Sequence, residues 1–256
     1  MSRIFAVLAG SAFAGSAVAG GFTAPPAPVI APVQEIVAPL TWQGAYIGGA
    51  LGYGFKGDDE VGAFTRDAGQ PDFTYNGNIG TLKNKGAYLS LRGGYRWERD
   101  NWVVGPELSV QGGNIKDSIR LAFVDDDGDT GIAGADSKEK YGLTLALKTG
   151  YKLRPETIIY GRAGLAHSKF DYSIQDIYDN PALGGMVLDG DFSATGYVVG
   201  LGAEHKLNDR LSLTGEINYR NFGKTQLTWT DAEGDSVRTH ATPKYIGLEV
   251  GLNYQF

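Results

Sequence analysis

YIGLEVGLNYQF, residues 245–256, carries Ile246, Leu248, Val250, Leu252, Tyr254 and Phe256 at every second position. Gly247, Glu249, Gly251, Asn253 and Gln255 lie between them. Successive side chains of a strand point to opposite faces, so this alternation reads as a strand with one apolar and one polar face. Terminal segments are ordinarily polar and frayed. Here the pattern predicts a strand that runs to Phe256.

The same period of two recurs upstream. Eight segments share it, with centres near residues 49, 91, 108, 147, 164, 200, 216 and 250. The intervals run about 42, 17, 39, 17, 36, 16 and 34 residues, alternately long and short. A short interval leaves room for a strand and a tight turn, and the breakers are ERDN at 98–101, RPET at 154–157 and NDR at 208–210. The long intervals hold polar insertions, well beyond the usual hairpin loop. An even-stranded meander with short turns on one side and long loops on the other is the plan of an outer-membrane barrel. The expectation is therefore all-β: an eight-stranded antiparallel up-and-down transmembrane β-barrel over residues 42–256, with four long outer loops.

A soluble eight-stranded barrel would share that spacing but hide its apolar face. The polar faces separate the two cases. On residues 87–97, Leu89, Leu91, Tyr95 and Trp97 oppose Tyr88, Ser90, Arg92, Gly94 and Arg96. Around residue 200, Tyr197, Val199 and Leu201 oppose Gly196, Val198, Gly200, Gly202 and Glu204. Faces of glycine with a few isolated charges suit a cramped interior, because a solvated surface has no need of glycine. The apolar faces also end in aromatics. Trp97, Trp102, Tyr151, Tyr254 and Phe256 fall by the short turns or the C-terminus, and Tyr53, Phe55, Tyr141 and Tyr219 by the long insertions. Two aromatic girdles around an aliphatic band match two lipid–water interfaces.

Composition agrees with export. Residues 1–19 combine Arg3, an apolar run from Ile4 to Ala14 and Ala17-Val18-Ala19, and read as a signal peptide. Residues 20–41 hold half of the ten prolines and read as an extended periplasmic spacer. There is no cysteine, which removes disulfides and thiolate metal sites. A formal charge of −6 argues against a nucleic-acid partner.

On these residues the chain resembles the opacity-protein-like outer-membrane barrels related to the transmembrane domain of outer membrane protein A. The resemblance rests on WQGAYIGGALGYGF at 42–55, Gly105-x-Glu107, GYVVGLGAEHKL at 196–207, EINYRNFG at 216–223 and the terminal Phe256. It implies an outer-membrane location in a Gram-negative envelope with both termini periplasmic. It also implies contact with outer-membrane lipid and lipopolysaccharide, and that Tyr254 and Phe256 form the signal read by the barrel-assembly machinery. The implied role is a non-catalytic surface or envelope-stabilising one, with a surface or envelope protein as partner and no cofactor. A narrow porin-like channel is the alternative, and an outer-membrane enzyme acting on lipid A a more distant one.

Candidate functional residues lie on the polar faces. Arg92, Arg96, Lys148, Arg162 and Arg220 face inward with Glu107, Glu204, Glu216 and Glu249. Most fall at similar heights above the short turns, which predicts an ion-paired plug because unpaired charges in so confined a space are costly. A gate with alternative pairings is the functional version of that feature. Asp125, Asp126, Asp127 and Asp129 could hold a hard cation, but the calcium-loop spacing is missing and a solvated acidic loop is expected. The stretch 171–192, with five aspartates and no lysine or arginine, reads as another acidic loop. His167, His205 and His240 are scattered, so no catalytic constellation is expected.

Overall fold

The computed structural model describes residues 40–124, 127–180, 185–230 and 234–256. The expected signal peptide, nearly all of the proline-rich segment, and Asp125 and Asp126 lie outside them. Every regular element among the described residues is a strand. In chain order these are β1 (Gly44–Phe55), β2 (Asp59–Arg66), β3 (Thr74–Leu82), β4 (Gly86–Arg99) and β5 (Trp102–Gly113). Next come β6 (Lys116–Val124), β7 (Thr130–Arg154), β8 (Thr157–Tyr178) and β9 (Gly185–Lys206). The last four are β10 (Leu211–Asn221), β11 (Thr225–Thr230), β12 (Ser236–Ala241) and β13 (Lys244–Gln255).

Eight of them pair in a closed ring, β1-β4-β5-β7-β8-β9-β10-β13 and back to β1, every pairing antiparallel. The C-terminal stretch closes it: β13 lies along β1 in continuous register from Tyr46 opposite Gln255 to Phe55 opposite Ile246. A closed ring leaves no unpaired edge among these strands. Its faces are inverted relative to a soluble protein. Leu51 (71% exposed), Leu145 (58%) and Leu201 (69%) look outward, whereas Arg220 and Glu249 are 1% exposed within. Interior glycines make room for large side chains. A Cβ on Gly52 would lie 2.3 Å from the Tyr88 ring, and one on Gly202 2.5 Å from that of Tyr160.

The long insertions are not loops. β7, β8 and β9 run 25, 22 and 22 residues, about twice what a tilted strand needs to cross a bilayer. Their outer halves, with β6 on the edge of β7, form a wall beyond the ring. Of the expected acidic loops, Asp127 and Asp129 do lie in the connection between β6 and β7, whereas most of 171–192 lies within strands. Hydrogen-bonded pairing and an inward apolar set explain this. Phe170, Tyr172, Ile174 and Phe192 alternate with polar residues and are buried. They pack with Val61, Leu82 and Ala241 from a second sheet, ordered β11-β12-β2-β3. TQLTWT, residues 225–230, does not prolong β10 either. Gly223 has φ +69°, and its N–H donates to Asn221 Oδ1 at 2.8 Å, a turn that breaks the strand. The chain then enters the second sheet as β11, paired with β12.

Candidate functional site

The ring brings its inward charges together through alternation alone. β4 carries Arg92 and Arg96, β5 Glu107, β7 Lys148, β8 Arg162, β9 Glu204, β10 Glu216 and Arg220, and β13 Glu249. All nine are buried. One run of contacts begins at Arg96, whose Nη2 lies 2.8 Å from Glu204 Oε2. Lys148 Nζ lies 3.2 Å from Glu204 and 3.8 Å from Glu107. Arg162 bridges Glu107 at 3.0 Å and Glu216 at 2.7 Å. A second group joins Arg92 to Glu249 at 3.2 Å and Arg220 to the same carboxylate at 3.8 Å. Asn218 links the two, its Nδ2 donating to Glu216 at 3.2 Å and to Glu249 at 3.1 Å.

Neutral side chains add to the network. Tyr46 donates to Glu107 at 2.7 Å, Tyr88 to Glu249 at 3.0 Å, and Ser212 and Asn253 to Glu204 at 2.5 and 2.9 Å. The Arg96 guanidinium lies 3.8 Å above the Tyr46 ring, and Lys148 Nζ 3.6 Å from the Tyr160 ring. Pairing is extensive but not complete: among the described residues, Glu216 Oε2, Arg92 Nε and Nη1, Arg96 Nε and Arg220 Nε are buried without a hydrogen-bond partner.

Another buried carboxylate, Glu139, was not foreseen. Glu139 sits above the network and accepts from Gln111 at 2.9 Å, Ser168 at 2.8 Å and Tyr245 at 2.9 Å. On β7 the inward residues are even-numbered from Gly142 to Lys148, so alternation would turn Glu139 outward. A register shift between Glu139 and Tyr141 inserts Lys140 as an extra residue and reverses the phase. The interior tyrosines were likewise not singled out, although Tyr88 lies on the glycine-and-charge face.

Aromatic layers close both ends. Below, Trp42 is fully buried, donates from Nε1 to Pro155 O at 2.9 Å and has Lys206 Nζ 5.0 Å from its ring. Its backbone N–H donates to Glu98 at 2.6 Å, and Lys152 pairs with the same carboxylate. Above, Phe170 stacks on Phe192 at 5.2 Å, and Phe222 meets Phe170 edge-on at 5.3 Å.

The expected girdle residues lie on the outer face. Tyr53, Trp97, Trp102, Tyr141 and Tyr151 are exposed, and Phe55 and Tyr219 are half-buried. Trp102 and Tyr151 meet edge-on at 5.2 Å. Tyr254 and Phe256 are adjacent outward rings 5.4 Å apart, and the Phe256 N–H donates to Ala45 O at 3.0 Å. His167 contacts Thr195 at 2.8 Å, His205 contacts Thr157 at 2.9 Å, and His240 lies against Phe64. The three sit on β8, β9 and β12, so the structure does not bring them together.

The model of the outer membrane protein beta-barrel domain matches residues 14–256. The 31 kDa outer-membrane immunogenic proteins of Brucella melitensis biotype 1 and Brucella suis biovar 1 are each 30% identical to the chain. In each case the match covers 100% of this chain and 98% of the relative. The crystal structure of the outer membrane protein OprG from Pseudomonas aeruginosa superposes with a TM-score of 0.54 at 16% identity. That match covers 84% of this chain and 96% of OprG. Ring, inverted faces and relatives agree: the chain belongs to the family of outer-membrane β-barrel proteins.

Proposed function

We propose that the chain is an eight-stranded up-and-down transmembrane barrel whose role is non-catalytic: a surface protein of the Gram-negative outer membrane that stabilises the envelope or meets a partner outside it. The single observation that carries this reading is the filled interior. Trp42 below, the nine-charge network in the middle and the Phe170–Phe192–Phe222 layer above leave the lumen occupied from end to end. An eight-stranded ring has space for side chains and little else. In this arrangement both termini are periplasmic, because β1 begins and β13 ends beside the short turns at 98–101, 154–157 and 208–210. The outward aliphatic band meets lipid and lipopolysaccharide, and Tyr254 and Phe256 serve recognition by the barrel-assembly machinery. The name "31 kDa outer-membrane immunogenic protein", carried by the Brucella relatives, favours a surface-antigen reading of the wall and second sheet.

The test is electrical. The refolded chain in a planar bilayer is expected to give no steady ion conductance at moderate voltage. A reproducible conductance step from the pure protein would replace this reading with the narrow channel. Lipid A whose mass spectrum is unchanged after incubation with the protein is the matching expectation for the absence of catalysis.

A further inference from the structure

β3 reads TYNGNIGTL, residues 74–82, and its Asn76-Gly77 is the only asparagine–glycine pair in the chain. β3 is an edge strand of the second sheet and pairs with β2 alone. That pairing steps from Gly77 opposite Ala63 directly to Tyr75 opposite Phe64. Asn76 therefore has no partner on β2 and is the extra residue of a bulge. Gly77 has φ +118°, a conformation that glycine adopts readily and other residues rarely. Asn76 is exposed, and a Cβ built on Gly77 would meet nothing within 4 Å.

Together these features remove what ordinarily protects an asparagine, a chemically labile residue. A regular ladder fixes the backbone around the side chain, and a side chain on the next residue crowds its peptide nitrogen. Here the ladder is interrupted at Asn76, the strand's outer edge is unpaired, and Gly77 has no side chain. The Asn76 amide donates from Nδ2 to Thr65 Oγ1 at 2.9 Å, an exposed bond that water can replace. Other asparagines are better shielded. Asn78, on the same strand, accepts from the Gly80 N–H at 2.8 Å and is followed by the β-branched Ile79. Asn84, Asn218 and Asn253 are buried.

We propose that Asn76 is a site of spontaneous covalent modification, its side-chain amide being converted to a carboxylate through attack by the Gly77 backbone nitrogen. That nitrogen gives up its proton to hydroxide and bonds to Asn76 Cγ. The bond from Cγ to Nδ2 breaks, and the departing nitrogen takes up a proton and leaves as ammonia. A cyclic succinimide remains, and water opens it. Cleavage between Cγ and the Gly77 nitrogen gives aspartate. Cleavage between the Asn76 carbonyl carbon and the same nitrogen gives isoaspartate, whose main chain runs through Cγ. The net change is one water consumed and one ammonia released. Isoaspartate lengthens the backbone at the bulge, so the pairing of β3 with β2 beyond it is disturbed. The ring of eight strands, which does not include β3, is left intact.

The experiment uses the full refolded chain, incubated at neutral and mildly alkaline pH and then digested in acid. Mass spectrometry reads the peptide that spans residue 76, and chromatography separates its aspartate and isoaspartate forms. The expected result is steady conversion of Asn76 to both acids while Asn78 keeps its amide. The rate should rise about tenfold per pH unit, because the deprotonated fraction of the Gly77 amide does so below its pKa. Asn76→Gln should lose the reaction, since the longer side chain closes the ring far less readily. Retention of the amide at residue 76 in the folded chain would overturn the proposal, whether or not the chain converts when unfolded in urea. Aspartate without isoaspartate would also overturn it, because direct attack of water on the amide gives that product alone. Equal conversion at Asn78 would overturn the role of the bulge and of Gly77. If Asn76→Gln fails to refold, the pH series on the parent chain takes its place, and a rate that does not change with pH overturns the proposal.

Discussion

Glu204 is where the interior network is most concentrated. Its carboxylate meets Arg96, Lys148, Ser212 and Asn253 within the ring. Removing one partner of a buried charge cluster leaves the remaining charges uncompensated, which costs about 3–5 kcal/mol. Glu204→Ala is therefore expected to lower unfolding stability by that amount in a urea titration of the chain in lipid. Glu204→Gln, which keeps an acceptor for Ser212 and Asn253, should lie between. A change in Glu204→Ala below about 1 kcal/mol would mean that the cations can relax into other contacts. Glycine acts at the same scale by omission. Gly52 and Gly202 give the Tyr88 and Tyr160 rings their places, and Tyr88 in turn reaches Glu249. Most of this was readable from residue types. Inward alternation placed all nine charges of the network, because the register holds through the stretches that carry them, and the shift between Lys152 and Arg154 falls beyond Lys148. Glu139 escaped the pattern for the opposite reason, since one extra residue at Lys140 reverses the phase of β7.

Among the elements, the second sheet is the part that periodicity did not reach. β2 and β3 pair with register shifts between Val61 and Gly62 and between Ala63 and Phe64, so no clean alternation survives there. β11 and β12 are six residues each, too short to stand out from turns. The wall strands β7, β8 and β9 were missed beyond the girdle because their outward residues are polar there and invite reading as loop. A polar contact ties the second sheet to the connection between β12 and β13. Asp59 is buried on β2 and accepts from the Thr242 N–H and, at 3.1 Å, from the Thr242 hydroxyl. Burial pushes its carboxyl up to about 6, against an ordinary value of 3.8. An acid with a raised folded-state value binds its proton more tightly when folded, so its burial destabilises only the ionised form. Stability of the outer sheet should accordingly fall as pH rises from about 4 to about 6 and level off above, by roughly 2–3 kcal/mol. Hydrogen exchange of β2 and β12 amides across that range measures it. Asp59→Asn, which cannot ionise, should abolish the slope, and a slope that persists would assign it to other groups.

Across the whole molecule, one rule accounts for both halves of the structure. Inside the ring, charge and glycine fill a narrow space while aliphatic side chains face out. Beyond the girdle, the same strands turn aromatic residues inward against the second sheet and polar ones outward. The switch between the two patterns marks the passage from lipid to water. The membrane half was legible because lipid demands a long uninterrupted apolar face, and the outer half was not, because water tolerates many surfaces. The orientation of the faces is the claim on which the filled lumen and the girdles both depend. Leu145 and Ala146 test it most directly, being neighbours on β7 with 58% and 5% exposure. The chain has no cysteine, so Leu145→Cys and Ala146→Cys can each carry a single nitroxide. In lipid vesicles the account predicts that the label at 145 relaxes strongly with dissolved oxygen and weakly with a water-soluble nickel complex, while the label at 146 is shielded from both. A label at 146 that reports lipid, or one at 145 that reports water, would contradict it.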